Sequence, residues 1–152
     1  MNPKKIFLGA DHAGFELKEH VKKYLVKSGI EVDDKGAYAF DQGDDYPDFI
    51  VPVAKKVSEN PSKNIGIIFG SSGQGEAIAA NKIKGIRAAI YYGCNAEIVK
   101  LSRTHNNSNI LSLGAKFLTK KEAVEAVKLW LETNFSNEAR HARRISKISR
   151  IK

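Results

Sequence analysis

The chain has 152 residues, 42% of them hydrophobic and 28% charged, a balance typical of a folded domain with its own core. Its apolar runs are too short to cross a membrane, and its single cysteine excludes an intrachain disulfide and a cysteine-rich zinc site. The net charge is +8, and residues 140–152 hold six basic side chains and no acid. We expect one domain over residues 1–152, no secretory signal peptide and a cytoplasmic location.

The N-terminal part of the sequence predicts two strands joined by a helix. Lys5–Ala10 is a short apolar run typical of a buried parallel strand. Apolar residues at helical spacing follow it, and Gly29 is placed to end that helix. A weaker strand is predicted over Ile30–Asp33, and the acidic, glycine-containing stretch Lys35–Asp45 is predicted to be a loop.

Further strands are predicted in the middle of the chain. Pro47 could open the second helix, but Pro52 predicts a kink or a later start, because a proline inside a helix removes a hydrogen bond. Buried strands are predicted over Asn64–Phe69, Ile86–Tyr91 and Asn109–Leu113.

Helices are predicted between and after these strands. One begins near Glu76, one is capped by Asn95, and one starts at the capping box Thr119–Glu122. A basic helix is predicted over Asn137–Arg150. Strands that alternate with helices indicate an α/β protein: a three-layer α/β/α Rossmann-like fold with a five-stranded parallel sheet and a C-terminal basic helix. Ligands in such folds bind at the carboxyl ends of the strands.

The glycine-rich turn 70–76 (GSSGQGE) is the strongest local signal for chemistry. Its spacing is neither the dinucleotide fingerprint nor a Walker loop, so a nucleotide site is not supported. Its backbone N–H groups could form an oxyanion hole, or the turn could hold no ligand. Glu76 could simply complement the helix dipole, or serve as a general base if a partly dry pocket raises its pKa.

Three other segments offer charged or titratable groups, each with an ordinary structural explanation. Asp11 could cap a helix, whereas His12 could face a phosphate or a sugar hydroxyl. His105 could complement a helix dipole or transfer protons. Arg140 and Arg144 share one helix face, which suits a phosphate dianion but also an ordinary solvated basic helix.

Taken together, these motifs resemble the ribose-5-phosphate isomerase B family, which also contains galactose-6-phosphate isomerase subunits. The resemblance covers nearly the whole chain. It rests on residues 9–15 (GADHAGF), 45–48 (DYPD), 70–76 with 79–82 (AANK), 85–88 (GIRA), 105–107 (HNN), 113–115 (LGA) and 140–145 (RHARRI).

The resemblance implies which residues carry the reaction. One branch of the family uses a cysteine base where this chain has Gly70, and the other uses a glutamate where this chain has Glu76. By position, Glu76 would move a proton between C2 and C1, and Ser72 with loop N–H groups would stabilise the enediolate. His105 would open the furanose ring, and Asp11 would handle a sugar hydroxyl or the ring oxygen.

The resemblance also implies the substrate contacts, with no metal and no cofactor. Asn106 and Tyr46 would contact the sugar, while His12, Arg140 and Arg144 would hold the phosphate. The family usually has an arginine where this chain has Lys116, which keeps the charge but loses the planar fork. The full set of substrate-binding candidates is His12, Tyr46, Gly70, Ser71, Gly73, Gln74, Gly75, Asn106, Lys116, Arg140 and Arg144. A homodimer or a dimer of dimers with active sites between subunits is expected.

The sequence leaves three candidate functions. The first is interconversion of ribose 5-phosphate and ribulose 5-phosphate in the pentose phosphate pathway, favoured because the glutamate branch looks pentose-directed. The second is isomerisation of galactose 6-phosphate or allose 6-phosphate. The third is a non-catalytic anion or nucleic-acid binder that uses the basic C-terminus, which is disfavoured because no recognised nucleic-acid motif accompanies the charge.

Overall fold

The computed structural model describes residues 5–152; the N-terminal segment 1–4, on which the expected lack of a signal peptide rests in part, lies outside the described residues. Within residues 5–152 one parallel sheet has the strand order β2-β1-β3-β5-β4. Its strands are β1 (Lys5–Ala10), β2 (Glu31–Asp34), β3 (Ile65–Gly70), β4 (Ala88–Tyr91) and β5 (Ile110–Gly114). The predicted five-stranded parallel sheet is confirmed.

Helices connect the strands and extend past the last of them. They are α1 (His12–Lys27), α2 (Pro47–Ser58), α3 (Gln74–Asn81), α4 (Glu97–Thr104), α5 (Lys120–Glu132) and α6 (Ala139–Ser149), with a 3₁₀ turn at Ala115–Phe117. No helix within residues 5–152 has the length and apolar character needed to cross a membrane.

The core has two parts, one on each face of the sheet. On one face, Leu17 of α1 and the fully buried Trp130 of α5 pack against the strands. On the other face, Val53 of α2 and Ala80 of α3 do the same. The sheet is therefore the middle of three layers, as predicted, and its strands are apolar because both of its faces are covered.

The second helix shows how the fold overrides a local signal. It begins at Pro47, which confirms the first of the two predicted alternatives, and it continues through Pro52, so the alternative of a later start was wrong. The side chain of Val53, next to this proline, is fully buried against the sheet. Tertiary packing of this kind offsets the loss of one helical hydrogen bond.

Most element ends shift by one or two residues from the prediction. The C-terminal helix begins at Ala139 rather than Asn137, and β4 begins at Ala88 rather than Ile86. Asn95 does not occupy the cap position of α4, which falls on Ala96, but its Oδ1 accepts the N–H of Glu97 at 2.9 Å. The side chain therefore does the predicted capping from one position earlier.

Candidate active site

The glycine-rich turn lies at the carboxyl edge of the sheet, where β3 passes into α3. Gly73 adopts the left-handed conformation (φ +78°) just before α3, which a residue with a side chain would adopt only under strain. The turn places Glu76 in the first turn of α3 with only 4% of its surface exposed. A charged residue buried to this degree is rare without an ion-pair partner.

The carboxylate of Glu76 fits only because residue 70 is a glycine. A Cβ built on Gly70 would overlap both carboxylate oxygens of Glu76. Gly70 ends β3, so the missing side chain leaves a space at the end of the strand, and the carboxylate fills it. A side chain at position 70 and this placement of Glu76 exclude each other.

The surroundings of Glu76 favour its protonated form. Burial raises the pKa of Glu76 above its ordinary value. A hydrogen bond from its own backbone N–H works in the opposite direction, and the nearby carboxylate of Asp11 raises the pKa further. A carboxyl group whose pKa is raised above its ordinary value is a stronger proton acceptor and can also return the proton.

The 71–73 segment is held against the end of β5. Ser112 donates its hydroxyl to the carbonyl of Gly73 at 2.6 Å, and the N–H of Lys116 donates to the carbonyl of Ser71 at 3.0 Å. A Cβ on Gly114 would lie 2.7 Å from the carbonyl oxygen of Ser72, so the two segments touch. These contacts orient the turn, while the side chain of Lys116 is exposed.

Tyr46 lies against the same turn. It precedes α2, and its hydroxyl oxygen would be 2.8 Å from a Cβ built on Gly75. Its ring therefore closes one side of the turn that carries Glu76. Gln74, in contrast, is exposed.

The segment after β1 brings Asp11 and His12 to the same edge. Asp11 is buried and its Oδ1 accepts the N–H of Gly14 at 3.2 Å, so its predicted helix-capping role is confirmed. His12 donates its backbone N–H at 3.0 Å to Oδ1 of Asp44, and its ring Nδ1 lies 2.7 Å from the same oxygen. Asp44 was not predictable as part of the site, because its contact joins residues 32 positions apart.

A buried lysine fixes the loop that carries Asp44 and Tyr46. Lys18 is fully buried and donates to Asp34 at 2.7 Å and to the carbonyl of Ala37 at 2.8 Å. Burial alone would raise the pKa of Asp34, but the hydrogen bonds from Lys18 and Lys22 outweigh it and leave the pKa below its ordinary value. The paired charges thus hold the start of the loop against α1.

His105 follows α4 on a turn that hydrogen bonds from Arg103 hold in place. The buried guanidinium of Arg103 donates to Oδ1 of Asn107 at 2.9 Å and to the carbonyl oxygen of Thr133 at 3.2 Å. Asn107 has a left-handed backbone (φ +46°), and Asn106 beside it is exposed. The imidazole of His105 stacks on His141 of α6, with ring centroids 4.2 Å apart.

The arginines of α6 make no hydrogen bond or ion pair with the buried carboxylate among residues 5–152. Arg140 and Arg144 are both exposed, and Nε of Arg140 donates to Glu138 at 2.9 Å. No hydrogen bond or ion pair within residues 5–152 joins either guanidinium to the 70–76 turn. The described chain therefore brings together Glu76, Asp11, Tyr46 and the turn, but leaves these arginines apart from them.

The group Asp11, His12 and Asp44 has the side-chain types of a metal site. Suitable atoms of the three lie within 4.8 Å of one another. The 2.7 Å separation between Nδ1 of His12 and Oδ1 of Asp44 is a hydrogen-bond distance, so these two atoms already satisfy each other. We interpret the group as a hydrogen-bonded pair beside a helix cap.

The fold and this geometry define an α/β protein with a candidate acid–base centre at the carboxyl edge of its sheet. The model of the family described as "Ribose/Galactose Isomerase" matches residues 6–148, so the chain belongs to this family.

Proteins with established names support the same family. The chain is 40% identical over 141 residues to ribose-5-phosphate isomerase B of Mycolicibacterium paratuberculosis, covering 93% of this chain and 87% of that protein. It is 41% identical over 145 residues to the probable ribose-5-phosphate isomerase B of Mycoplasma genitalium, covering 95% and 93% of the two chains.

Solved structures extend the likeness to three dimensions. The crystal structure of ribose-5-phosphate isomerase B from Mycoplasma genitalium with bound ribulose 5-phosphate matches with a TM-score of 0.91 and 40% identity, covering 96% of this chain and 94% of that one. The enzyme from Thermotoga maritima matches with a TM-score of 0.90 and 41% identity, over 99% and 100% of the chains. The fold expected from the family resemblance is thereby confirmed.

Proposed function

We propose that this protein interconverts ribose 5-phosphate and ribulose 5-phosphate through an enediolate. The observation that carries the proposal is the buried carboxylate of Glu76, which fills the space left by Gly70 beside the glycine-rich turn. Moving a proton between neighbouring carbons needs a positioned base whose pKa suits both directions. The names of the relatives, and the ribulose 5-phosphate held by one solved structure, support a pentose phosphate as the substrate.

In the proposed reaction Glu76 removes the proton from C2 of the open-chain aldose and returns it to C1. The electron pair of the broken C–H bond forms the C1–C2 double bond, and the carbonyl pair moves onto O1 to give the negatively charged enediolate. A proton passes from the O2 hydroxyl to O1, so that return of the proton to C1 leaves the carbonyl at C2. The first N–H groups of a helix lack acceptors within that helix and point outward, so the start of α3 suits this charge. The hydroxyl of Ser72 adds a further donor.

Ring opening is assigned to His105, which would move a proton between the furanose ring oxygen and the C1 hydroxyl. Asp11 would bind a sugar hydroxyl or the ring oxygen, and Asn106 and Tyr46 would contact the sugar. The contact between Tyr46 and Gly75, and the charge of Asp11 felt by Glu76, support a common sugar site for these groups.

Phosphate binding is assigned to His12, Lys116, Arg140 and Arg144. The two arginines are exposed on α6 and make no polar contact with the turn among residues 5–152. We therefore propose a homodimer, or a dimer of such dimers, in which α6 of one subunit supplies its arginines to the turn of the other. Remote phosphate contacts of this kind hold the carbon chain in register for the proton transfer.

The test is an isomerase assay on the purified full-length protein, run side by side with five- and six-carbon sugar phosphates. Ribose 5-phosphate should be turned over at the highest kcat/KM. Glu76→Gln should reduce kcat by about 10²- to 10⁴-fold, the range of a lost general base. Glu97→Gln is a matched control, because Glu97 also lies in the first turn of a helix but is exposed. A folded Glu76→Gln variant with normal kcat would overturn the assignment of the base.

The description of the family favours a second candidate, isomerisation of a hexose phosphate such as galactose 6-phosphate or allose 6-phosphate. The same base and turn would serve a substrate with one more carbon. A kcat/KM for either hexose phosphate above that for ribose 5-phosphate would replace the first candidate by this one.

A further inference from the structure

The pair formed by His12 and Asp44 is more specialised than a helix cap requires. Asp11 already caps α1, yet Asp44 reaches the same helix start from the loop before α2. One oxygen of Asp44, Oδ1, meets both the backbone N–H and the ring Nδ1 of His12, at 3.0 and 2.7 Å. The loop thereby fixes both the position and the ring orientation of His12.

The electrostatic situation of His12 explains why such a partner is useful. His12 is the first residue of α1, where the positive end of the helix dipole disfavours a cation. The hydrogen bond that the His12 ring donates to Asp44 nevertheless holds the pKa of His12 above its ordinary value, against the effect of burial. The carboxylates of Asp11 and Asp41 add to this rise, and the uncharged ring of Phe40 meets the imidazole edge-on at 6.1 Å.

We propose that Asp44 is a positioning residue that orients the His12 ring and keeps it cationic, so that Nε2 points a charged N–H at the phosphate of the substrate. The proposal rests on the proposed function, in which His12 binds that phosphate. A histidine whose Nδ1 donates to a carboxylate presents the opposite ring nitrogen, as in other carboxylate–histidine pairs.

The burial of Asp44 supports a purpose beyond holding the loop. Its side chain is only 8% exposed, and within residues 5–152 its Oδ2 has no hydrogen-bond partner. A buried carboxylate oxygen without a partner is costly, so such groups concentrate where a charge has a use. An amide at this position could still accept the two hydrogen bonds of Oδ1, so a loop held by hydrogen bonds alone would not require a carboxylate.

The experiment uses Asp44→Asn, because the amide oxygen can keep both hydrogen bonds while the charge is lost. Asp48→Asn is the matched control, since Asp48 is an exposed acid in the first turn of α2. The NMR titration of the His12 ring is recorded without substrate and assigned with His12→Gln. Asp44→Asn should lower the pKa of His12, and Asp48→Asn should leave it unchanged.

The second measurement is binding of ribose 5-phosphate and of inorganic phosphate across the pH range. Asp44→Asn should raise the Kd for inorganic phosphate and the KM for ribose 5-phosphate about tenfold at and above neutral pH, the effect of a lost charge-assisted hydrogen bond, while kcat changes little. The difference should shrink once the pH falls below the His12 pKa that the titration of Asp44→Asn gives, because the imidazole is then protonated in both proteins. A merely structural role would raise KM equally at every pH.

A double-mutant cycle with His12→Gln keeps the result decisive even if Asp44→Asn also loosens the loop. In the His12→Gln background, Asp44→Asn should have no further effect on phosphate affinity. An equal loss of affinity in both backgrounds, or an unchanged titration of His12 in Asp44→Asn, would overturn the proposal. The titration is independent of turnover, so failure of the isomerase assignment would appear in the Glu76→Gln assay instead.

Discussion

The turn around Glu76 and the helix α6 represent two opposite ways of placing a charged group. Glu76 is 4% exposed, walled by the end of β3 and faced by the carboxylate of Asp11. On α6 only His141 is buried, and the arginines on either side of it are exposed. The sheet thus completes the proposed acid–base half of the site within one chain, while the proposed phosphate half is displayed outward.

The largest loss of activity is expected when the space that the Glu76 carboxylate occupies is filled. We expect Gly70→Ala to lower kcat by about 10²-fold or more, because the new methyl group overlaps the Glu76 carboxylate and moves the proposed base. Steady-state kinetics and circular dichroism would check the rate and the fold together. Gly43→Ala is the control, because its Cβ would make only an ordinary 3.4 Å contact with Asp41. Full activity in Gly70→Ala would show that the position of this carboxylate does not matter.

The contribution of the exposed arginines to substrate binding can be tested separately from the contribution of Glu76. Arg144→Gln should raise KM for ribose 5-phosphate by about 10- to 100-fold, the loss of a charged phosphate contact, with a smaller change in kcat. Arg143→Gln, one position away on the exposed surface, is the matched control.

Subunit exchange then tests whether the two halves come from different copies. Mixing Arg144→Gln with Glu76→Gln should restore part of the activity, because a hybrid dimer would contain one site with both residues intact. No recovery after verified exchange of subunits would mean that each chain uses its own arginines.

On the acid side, the pH dependence of kcat/KM should report the ionisation of the buried Glu76. Burial raises the pKa of Glu76, and a base must be deprotonated, so kcat/KM should fall at a pH above the ordinary carboxyl range of about 4.3 as the solution is acidified. The folded state holds this proton more tightly than the unfolded state, so the group stabilises the fold at low pH and loses that contribution as pH rises through the folded pKa.

It follows that Glu76→Gln should be at least as resistant to heat as the natural protein at pH 7. This advantage should disappear at about pH 3, well below the ordinary carboxyl pKa of about 4.3, where the group is neutral in both states. Thermal melts of both proteins at the two pH values would check it, and a Glu76→Gln protein that melts lower at pH 7 would contradict the burial argument.

The smallest effect is expected where α6 touches the rest of the chain. His141→Ala removes the stacked ring over His105 and should lower the free energy of unfolding by about 1 kcal/mol, the scale of an aromatic pair. It should also raise KM modestly, because α6 carries Arg140 and Arg144. Chemical denaturation and kinetics would measure both, with His20→Ala as a histidine control away from the site. A His141→Ala protein with natural stability and natural KM would argue against this docking.

The order of elements could be predicted from the sequence because it depends on local patterns. Apolar runs located every strand to within one or two residues, and Thr119 and Glu122 form both hydrogen bonds of the predicted capping box. Pro52 left the start of α2 undecided between Pro47 and a later residue, because its local cost is outweighed only by packing of its neighbours on the sheet. The start of the C-terminal helix was also placed too early.

The site was predictable only in part, for a physical reason. The turn with Glu76 is continuous in sequence, so its residues could be recognised together. Other contacts join residues that are distant in sequence, and no local spacing predicts them. They are the contacts of Asp44, Lys18 and His141. The assembly of the phosphate-binding residues stays a prediction, since it depends on where α6 lies relative to another copy.

The overlap between position 70 and the Glu76 carboxylate also constrains how such a site can change over time. A lineage that moves its base from the end of the strand to the helix must lose one side chain before the other can occupy the same volume. A chain bearing both would be crowded, and a chain bearing neither would lack the proposed base. On that proposal the two placements are separated by a poorly active intermediate, so a single substitution would not convert one into the other.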